Sequence, residues 1–303
     1  MAIHKPIISS CLWYDTQAQD AAKFYTSIFQ NSEIGKTKRY GKAGKDIHNK
    51  EEGDVMTVEF KLENYQFVGL NGGPQFKFNP SISFFINRKT KKEIDELWKE
   101  LTKEGSVLMP LDSYDFSDRY GWVQDKYGLS WQLILTGEEE DWRPSIMPSF
   151  LFTGDKFGKA EEAINFYQSI FKNSQLGTIA RNDSDQATNK KDSLLYADFK
   201  LEDQWFAAMD SGIKHNFQFN EAISFIVNCA SQEEIDFYWD NLSQDGDVSA
   251  QQCGWLKDKF GISWQVVPTI LPELLSKDSE KSERVMKAFL KMKKLDIKTL
   301  EEA

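Results

Sequence analysis

One pattern of fifteen residues, present twice, limits what this chain can fold into more than anything else in it. Gly121 to Leu135 reads GWVQDKYGLSWQLIL, and Gly254 to Pro268 reads GWLKDKFGISWQVVP. Both copies keep Gly-Trp, two residues, Asp-Lys, an aromatic, Gly, an aliphatic, then Ser-Trp-Gln. Each predicts a β-hairpin, with incoming strands Trp122 to Gln124 and Trp255 to Lys257 and turns Asp125 to Gly128 and Asp258 to Gly261. The turn glycine supplies the positive φ that a short hairpin loop often needs. On the returning strand Trp131, Leu133 and Leu135 face one way, and Ser130, Gln132 and Ile134 the other. Trp131 therefore belongs in a core, while Gln132, repeated as Gln265, points toward whatever the opposite face encloses.

The hairpins close larger repeats. A strand from Ile7 to Tyr14 is followed by a helix opened by Thr16 and Gln19 in capping-box spacing. Ala21, Phe24, Tyr25, Ile28 and Phe29 form its apolar stripe. Strands at Glu33 to Tyr40, Val55 to Leu62 and Tyr65 to Asn71 follow, with Gly41 to Asp54 a mobile-loop candidate. The order β-α-β-β-β then recurs: a strand at Ser81 to Asn87, a helix capped by Thr90 and Glu93, a short strand near Val107, a loop from Leu111 to Arg119, and the hairpin. After the acidic, proline-ended linker Thr136 to Pro144 the whole series starts again. FYTSIF at Phe24 matches FYQSIF at Phe166, KLENYQF at Lys61 matches KLEDQWF at Lys200, and FKFNPSISFFIN at Phe76 matches FQFNEAISFIVN at Phe217. The chain is a tandem duplication of paired βαβββ modules. Its expected divisions are 1–137, a linker at 138–145, 146–270 and a tail at 271–303.

In the tail, Val285, Met286, Phe289, Met292 and Leu295 stand at helical spacing within Ser282 to Leu295, and Asp296 caps a last turn. Such a stripe predicts docking on one domain or across both, with partner binding as the alternative. A net charge of −10 argues against a general nucleic-acid or anionic-membrane binder. No run of signal-peptide or membrane-span length occurs. Cys11, Cys229 and Cys253 are odd in number and far apart, which fits reduced thiols in a cytoplasmic protein and excludes a structural zinc site.

The two βαβββ-βαβββ copies, the FY-x-S-I-F helices and the closing D-K-[YF]-G-[LI]-S-W-Q hairpins resemble the PhnB-like branch of the vicinal oxygen chelate (glyoxalase/bleomycin-resistance) superfamily. Some of its members carry the name 3-demethylubiquinone-9 3-methyltransferase domain. The tail ERVMKAFLKMKKLDIKTLEEA is also similar to the end of tandem PhnB-like proteins. The resemblance implies an α+β fold in which two βαβββ modules curl into a cup-shaped, mostly antiparallel sheet whose concave face holds the ligand. Metal-dependent members of the superfamily place His, Gln or Glu on the floor of the cup. The matching positions are Ser10, Asn71, Ser83 and Gln132 in the first copy, and Ser149, Asp210, Ser224 and Gln265 in the second. Gln132 and Gln265 stand where a liganding Glu is usual.

These residue types weigh against metal chemistry. A divalent ion needs imidazole or carboxylate donors, and the positions offer Ser, Asn, Gln and one Asp. His4, His48 and His215 lie elsewhere and read as surface histidines. Glu59, Asp198 and Asp210 are the weak candidates for acid–base catalysis, set against the alternative that they face solvent or pair with Lys61 and Lys200. There is no Gly-x-Gly loop for a nucleotide-fold methyltransferase and no Gly-x-Ser-x-Gly elbow. The reading that remains is a small-molecule binding protein without metal or cofactor, working as a monomeric pseudo-dimer or a homodimer. Its pocket of Ser, Asn and Gln among aromatic strands (Trp13, Phe67, Phe85; Phe206, Phe225) suits a small, partly aromatic ligand. The alternative is an enzyme of the same fold, a lyase or isomerase, dioxygenase, or methyl or group transferase, using cup carboxylates or a divalent metal that these residue types do not reveal. One or both cups being filled by their own side chains is a further expectation.

Overall fold

The computed structural model describes residues 8–137, 143–185, 188–275 and 279–303. It contains four βαβββ modules. The first runs β1 (Ile8–Tyr14), α1 (Ala18–Ile28), β2 (Glu33–Arg39), a short helix α2 (Lys45–His48), β3 (Val55–Leu62) and β4 (Tyr65–Asn71). The second is β5 (Ile82–Arg88), α3 (Lys91–Leu101), β6 (Ser106–Tyr114), β7 (Ser117–Gln124) and β8 (Ser130–Leu135). The third is β9 (Ile146–Phe152), α4 (Ala160–Ile170), β10 (Ser174–Arg181), β11 (Leu194–Leu201) and β12 (Gln204–Asp210). The fourth is β13 (Ile223–Cys229), α5 (Gln232–Leu242), β14 (Asp247–Gln252), β15 (Trp255–Lys257) and β16 (Ser263–Pro268). The tail carries α6 (Leu271–Leu274), α7 (Ser279–Phe289) and α8 (Ile297–Glu302).

The α+β class and the paired modules are as expected. Which modules share a sheet is not. One eight-stranded sheet has the order β14-β15-β16-β13-β1-β4-β3-β2, and the other β10-β11-β12-β9-β5-β8-β7-β6. Sheet A thus joins the first module to the fourth, and sheet B the second to the third. Each cup is completed across the two copies, not within one. The seams are antiparallel, β1 on β13 and β5 on β9. The segments that carry the chain from one sheet to the other are the repeated FKFN and FQFN stretches, and they fasten each other reciprocally. Asn79 Nδ2 donates to the Gln218 carbonyl at 3.0 Å, and Asn220 Nδ2 donates to the Lys77 carbonyl at 2.8 Å.

Strand alternation sets the layers. Val58, Phe60 and Leu62 on β3, Phe84 and Ile86 on β5, and Trp131 and Leu133 on β8 are all buried beneath the helices. A single continuous core spans both sheets. The repeated Asp-Lys turn is tied into it. Asp125 Oδ1 accepts the amides of Tyr127 and Leu129, while Oδ2 accepts the Tyr25 hydroxyl at 2.7 Å and Trp131 Nε1 at 2.8 Å. Asp258 repeats this with Phe260, Ile262, Tyr167 and Trp264. Tyr25 and Tyr167 are the tyrosines of the two FY-x-S-I-F helices, so each hairpin of one sheet is bonded to a helix on the other. Gly128 and Gly261 take φ of +86° and +93° in these turns, as their sequence position predicts.

Three local expectations need correction. The capping box at Thr16 does not form; Gln17 is the N-cap without a side-chain bond, and Asn71 Oδ1 instead accepts the Ala18 amide at 2.9 Å. Leu111 to Arg119 is mostly strand, because β6 and β7 pair as a long, bulged hairpin. The tail helix ends at Phe289, and Leu290 to Leu295 is non-helical. The Thr90–Glu93 capping box and the Asp296 cap both form. His4 lies outside the described residues. Among the described residues no helix is long and apolar enough to cross a membrane.

Candidate functional site

The faces of the sheets turned away from the helices carry the same trio at the same steps. In sheet A, Cys11 stands opposite Ser224 across the β1–β13 seam, and Gln265 Nε2 donates to Ser224 Oγ at 2.9 Å. In sheet B, Ser149 stands opposite Ser83, and Gln132 Nε2 donates to Ser83 Oγ at 2.7 Å. Sequence offset had matched Ser149 with Ser10; the ladder matches it with Cys11. The four residues Ser83, Gln132, Ser224 and Gln265 fall where their strand positions predict, but as two pairs in two different cups.

The two faces differ in what surrounds the trio. In sheet B, Phe85, Tyr120, Met147 and Ala207 form a buried apolar cluster, joined by half-buried Trp122, Tyr196 and Trp205. Tyr120 also donates its hydroxyl to Gln132 Oε1 at 2.6 Å, so both ends of that amide are taken within the fold. This cup is filled by its own side chains. Sheet A places smaller groups at five matching steps, Ile226 for Phe85, Ser9 for Met147, Thr57 for Tyr196, Gln66 for Trp205 and Cys253 for Tyr120, and a larger one, Val68, for Ala207. Its walls are the half-buried rings of Trp13, Phe76 and Trp255, with Trp13 set edge-on to Phe76 at 5.1 Å and to Trp255 at 5.9 Å. Gln265 is 9% exposed against 2% for Gln132. Burial pushes the Cys11 thiol up to about 11, partly offset by hydrogen bonds from Gln265 and Ser224.

Other expected site residues do not reach either floor. Ser10 lies on the helix side, where its hydroxyl meets the Tyr65 hydroxyl at 2.6 Å. Asn71 latches the start of α1 to β4 and also donates to the Val55 carbonyl. Asp210 has the same task in the third module: Oδ1 accepts the amides of Gly158 and Ala160, and Oδ2 accepts Leu194 N. Burial raises its carboxyl against the downward pull of those bonds. Alternation explains all three, since each sits one step out of phase with the concave residues of its strand.

Asp198 is fully buried and engaged by Arg143 at 2.9 Å, by the Thr178 amide at 2.7 Å and by the Tyr196 hydroxyl at 3.0 Å. It pairs with Arg143, not with Lys200, and both of its oxygens accept hydrogen bonds. Glu59, its counterpart in sheet A, is half-buried and makes no hydrogen bond or ion pair among the described residues. His215 meets Ser211 Oγ at 2.9 Å in the loop after β12, and burial lowers its pKa. His48 stacks on Tyr40 at 4.4 Å. Neither histidine belongs to a cup. Among the described residues no three His, Cys, Asp or Glu side chains converge. The donor sets on the two floors, Cys-Ser-Gln and Ser-Ser-Gln, are neutral apart from a thiol held protonated, and do not fit a divalent cation. What strand reasoning missed was the role of Cys11 and the aromatic wall of Trp255. Trp255 is the ladder neighbour of Gln265, and Cys11 that of Ser224 across the seam.

A family model described as 3-demethylubiquinone-9 3-methyltransferase matches residues 6–134 and again 144–267. The chain belongs to that family. This member of the 3-demethylubiquinone-9 3-methyltransferase family carries two copies of its domain in tandem. Among solved structures, a PhnB protein from Bacillus cereus is 37% identical over 42% of this chain and 98% of its own, with a TM-score of 0.39. A protein from Staphylococcus aureus is 31% identical over 45% of this chain and 100% of its own, with a TM-score of 0.19. A point mutant of glyoxalase I from Zea mays is 11% identical but covers 86% of this chain and 93% of its own, with a TM-score of 0.52; it shares the fold. No curated protein matches the chain.

Proposed function

We propose that the protein binds a small, partly aromatic organic molecule against the concave face of sheet A, without a metal or cofactor. The observation that carries this reading is the difference between two otherwise matching floors. In sheet B the amide of Gln132 is satisfied at both ends and capped by Tyr120 and Phe85. In sheet A Gln265 donates to Ser224 and stands opposite Trp255 on the next strand, whose ring is set edge-on to Trp13, and among the described residues no tyrosine caps it. An apolar wall with one or two fixed neutral hydrogen-bonding groups is the composition of a site for a neutral organic ligand. The working unit is a monomeric pseudo-dimer, since the two copies already complete each other's sheets.

A thermal-shift screen of small aromatics, quinones and antibiotics tests the reading. A compound that binds raises the melting temperature, and Gln265→Ala removes that rise while Gln132→Ala leaves it. A hit insensitive to Gln265→Ala places the site elsewhere. Glu59 favours a second reading, because it is a half-buried carboxylate on the same sheet with no partner among the described residues. As a general base it makes the protein an enzyme of the lyase or isomerase kind. Glu59→Gln then abolishes turnover of any compound found to bind, while leaving its affinity within a few-fold.

A further inference from the structure

Part of the tail touches two of the segments around the sheet-A face. The Met292 carbonyl accepts the Cys253 amide at 2.7 Å, and the Lys293 carbonyl accepts the Gly254 amide at 2.8 Å, at the turn between β14 and β15. Only two residues earlier, Leu290 packs on the bare backbone of Gly44. A Cβ there would meet Leu290 Cδ1 at 2.5 Å. Gly44 belongs to the loop between β2 and β3, which reaches back to the end of β1, where Lys50 meets Asp15 two residues from Trp13.

Three strand spacings separate β15 from β1, yet the rings of Trp13 and Trp255, both on the concave face, meet at 5.9 Å across it. The segment from Leu290 to Lys293 joins the loop beside Trp13 to the turn beside Trp255, at the mouth of the cup. The crossing is anchored on the outside as well. Lys294 Nζ reaches Asp240 at 2.8 Å and Asp236 at 3.1 Å on α5, and Gln232 bonds both the Leu295 carbonyl and the Ile297 amide. The tail beyond has a small core with Leu271, Leu274, Val285 and Leu300, in which Leu295 anchors the end of the crossing. Sheet B is filled by its own side chains instead.

We infer that Leu290 to Lys294 is a strap across the mouth of the sheet-A cup, hinged at Leu295, and that its release from Gly44 and from α5 admits the ligand. This rests on the reading of that face as the ligand site, but its test uses no ligand. Cys11 lies on the floor under the strap, and Cys229 lies on the helix side of the same sheet, in the main core. Alkylation of the full chain by iodoacetamide, followed at each cysteine by peptide mass spectrometry, reads the two exposures separately. Leu290→Glu removes the rim contact, and Lys294→Glu removes the pairing with α5. Each raises the alkylation rate of Cys11 at least tenfold while Cys229 stays at its wild-type rate. If Cys11 does not change, or accelerates only in step with Cys229, the segment is structural packing and the inference fails. A gain at Cys11 with no binder in the screen leaves the strap standing and overturns the ligand reading.

Discussion

Asp125 and Asp258 show how much a single residue can hold. Each carboxylate receives four donors, two from the turn backbone and two from a Tyr and a Trp that are otherwise buried. An amide at the same place would turn an N–H toward donors that need an acceptor. Asp125→Asn is expected to cost about 2–4 kcal/mol in urea unfolding, far more than Asp20→Asn on the exposed side of α1. Burial pushes both carboxyls upward, the donated bonds pulling the other way. The native state then keeps these protons to higher pH than the unfolded chain. The associated stability is full below the unfolded value and is lost as pH rises through the raised native value. The double Asn variant should lack that slope, and urea midpoints at a series of pH values check it. A reader of the sequence sees the Asp-Lys turn and the FY-x-S-I-F helix as separate signatures; nothing in spacing says that the Asp of one accepts the Tyr of the other.

At the scale of elements, helices are latched to strands by side chains that resemble site residues. Asn71 and Asp210 end β4 and β12 and hold the first turns of α1 and α4. Asn71→Ala should lower stability by about 1–2 kcal/mol, in the range of a lost N-cap. Asp210→Ala should cost more, because it strands three amides; neither should alter the binding of a ligand that Gln265→Ala abolishes. Denaturant curves beside thermal shifts separate the two effects. The strand boundaries of β3 and β4 and the Thr90 cap were legible because alternation and capping are local. The direction of Ser10 was not, since a serine on a fully buried strand carries no signal of which face it takes. Both neighbours, Ser9 and Cys11, are buried too.

At the scale of the molecule, the crossed pairing of modules makes a strong prediction. Residues 1–137 alone expose β1 and β5 as unpaired edges, because the strands that complete them belong to the second copy. Expressed separately, each half should be insoluble or self-associate; co-expressed, the halves should copurify as a one-to-one complex. Two soluble monomeric halves, each with native-like circular dichroism, would contradict this topology. The crossing also decides what a site is. Cys11 and Gln265 are 254 positions apart in the chain yet share one floor, whereas Ser10 and Ser83 lie in different sheets.

The sequence by itself determined the βαβββ repeat, the α+β class, the hairpins and the family, because each rests on local periodicity or on a motif long enough to be unmistakable. It also placed Gln132 and Gln265 outside the core, since alternation past a buried tryptophan allows nothing else. Only the tertiary structure decided which modules pair and which side chains meet on each floor. A connection of about ten residues between modules closes a sheet within a copy or across copies at nearly the same cost in chain entropy. The choice falls to seams, reciprocal asparagine bonds and the packing of distant side chains. The repeated hairpin is the same in both halves; Gln265 differs from Gln132 because of the residues that other strands bring to it.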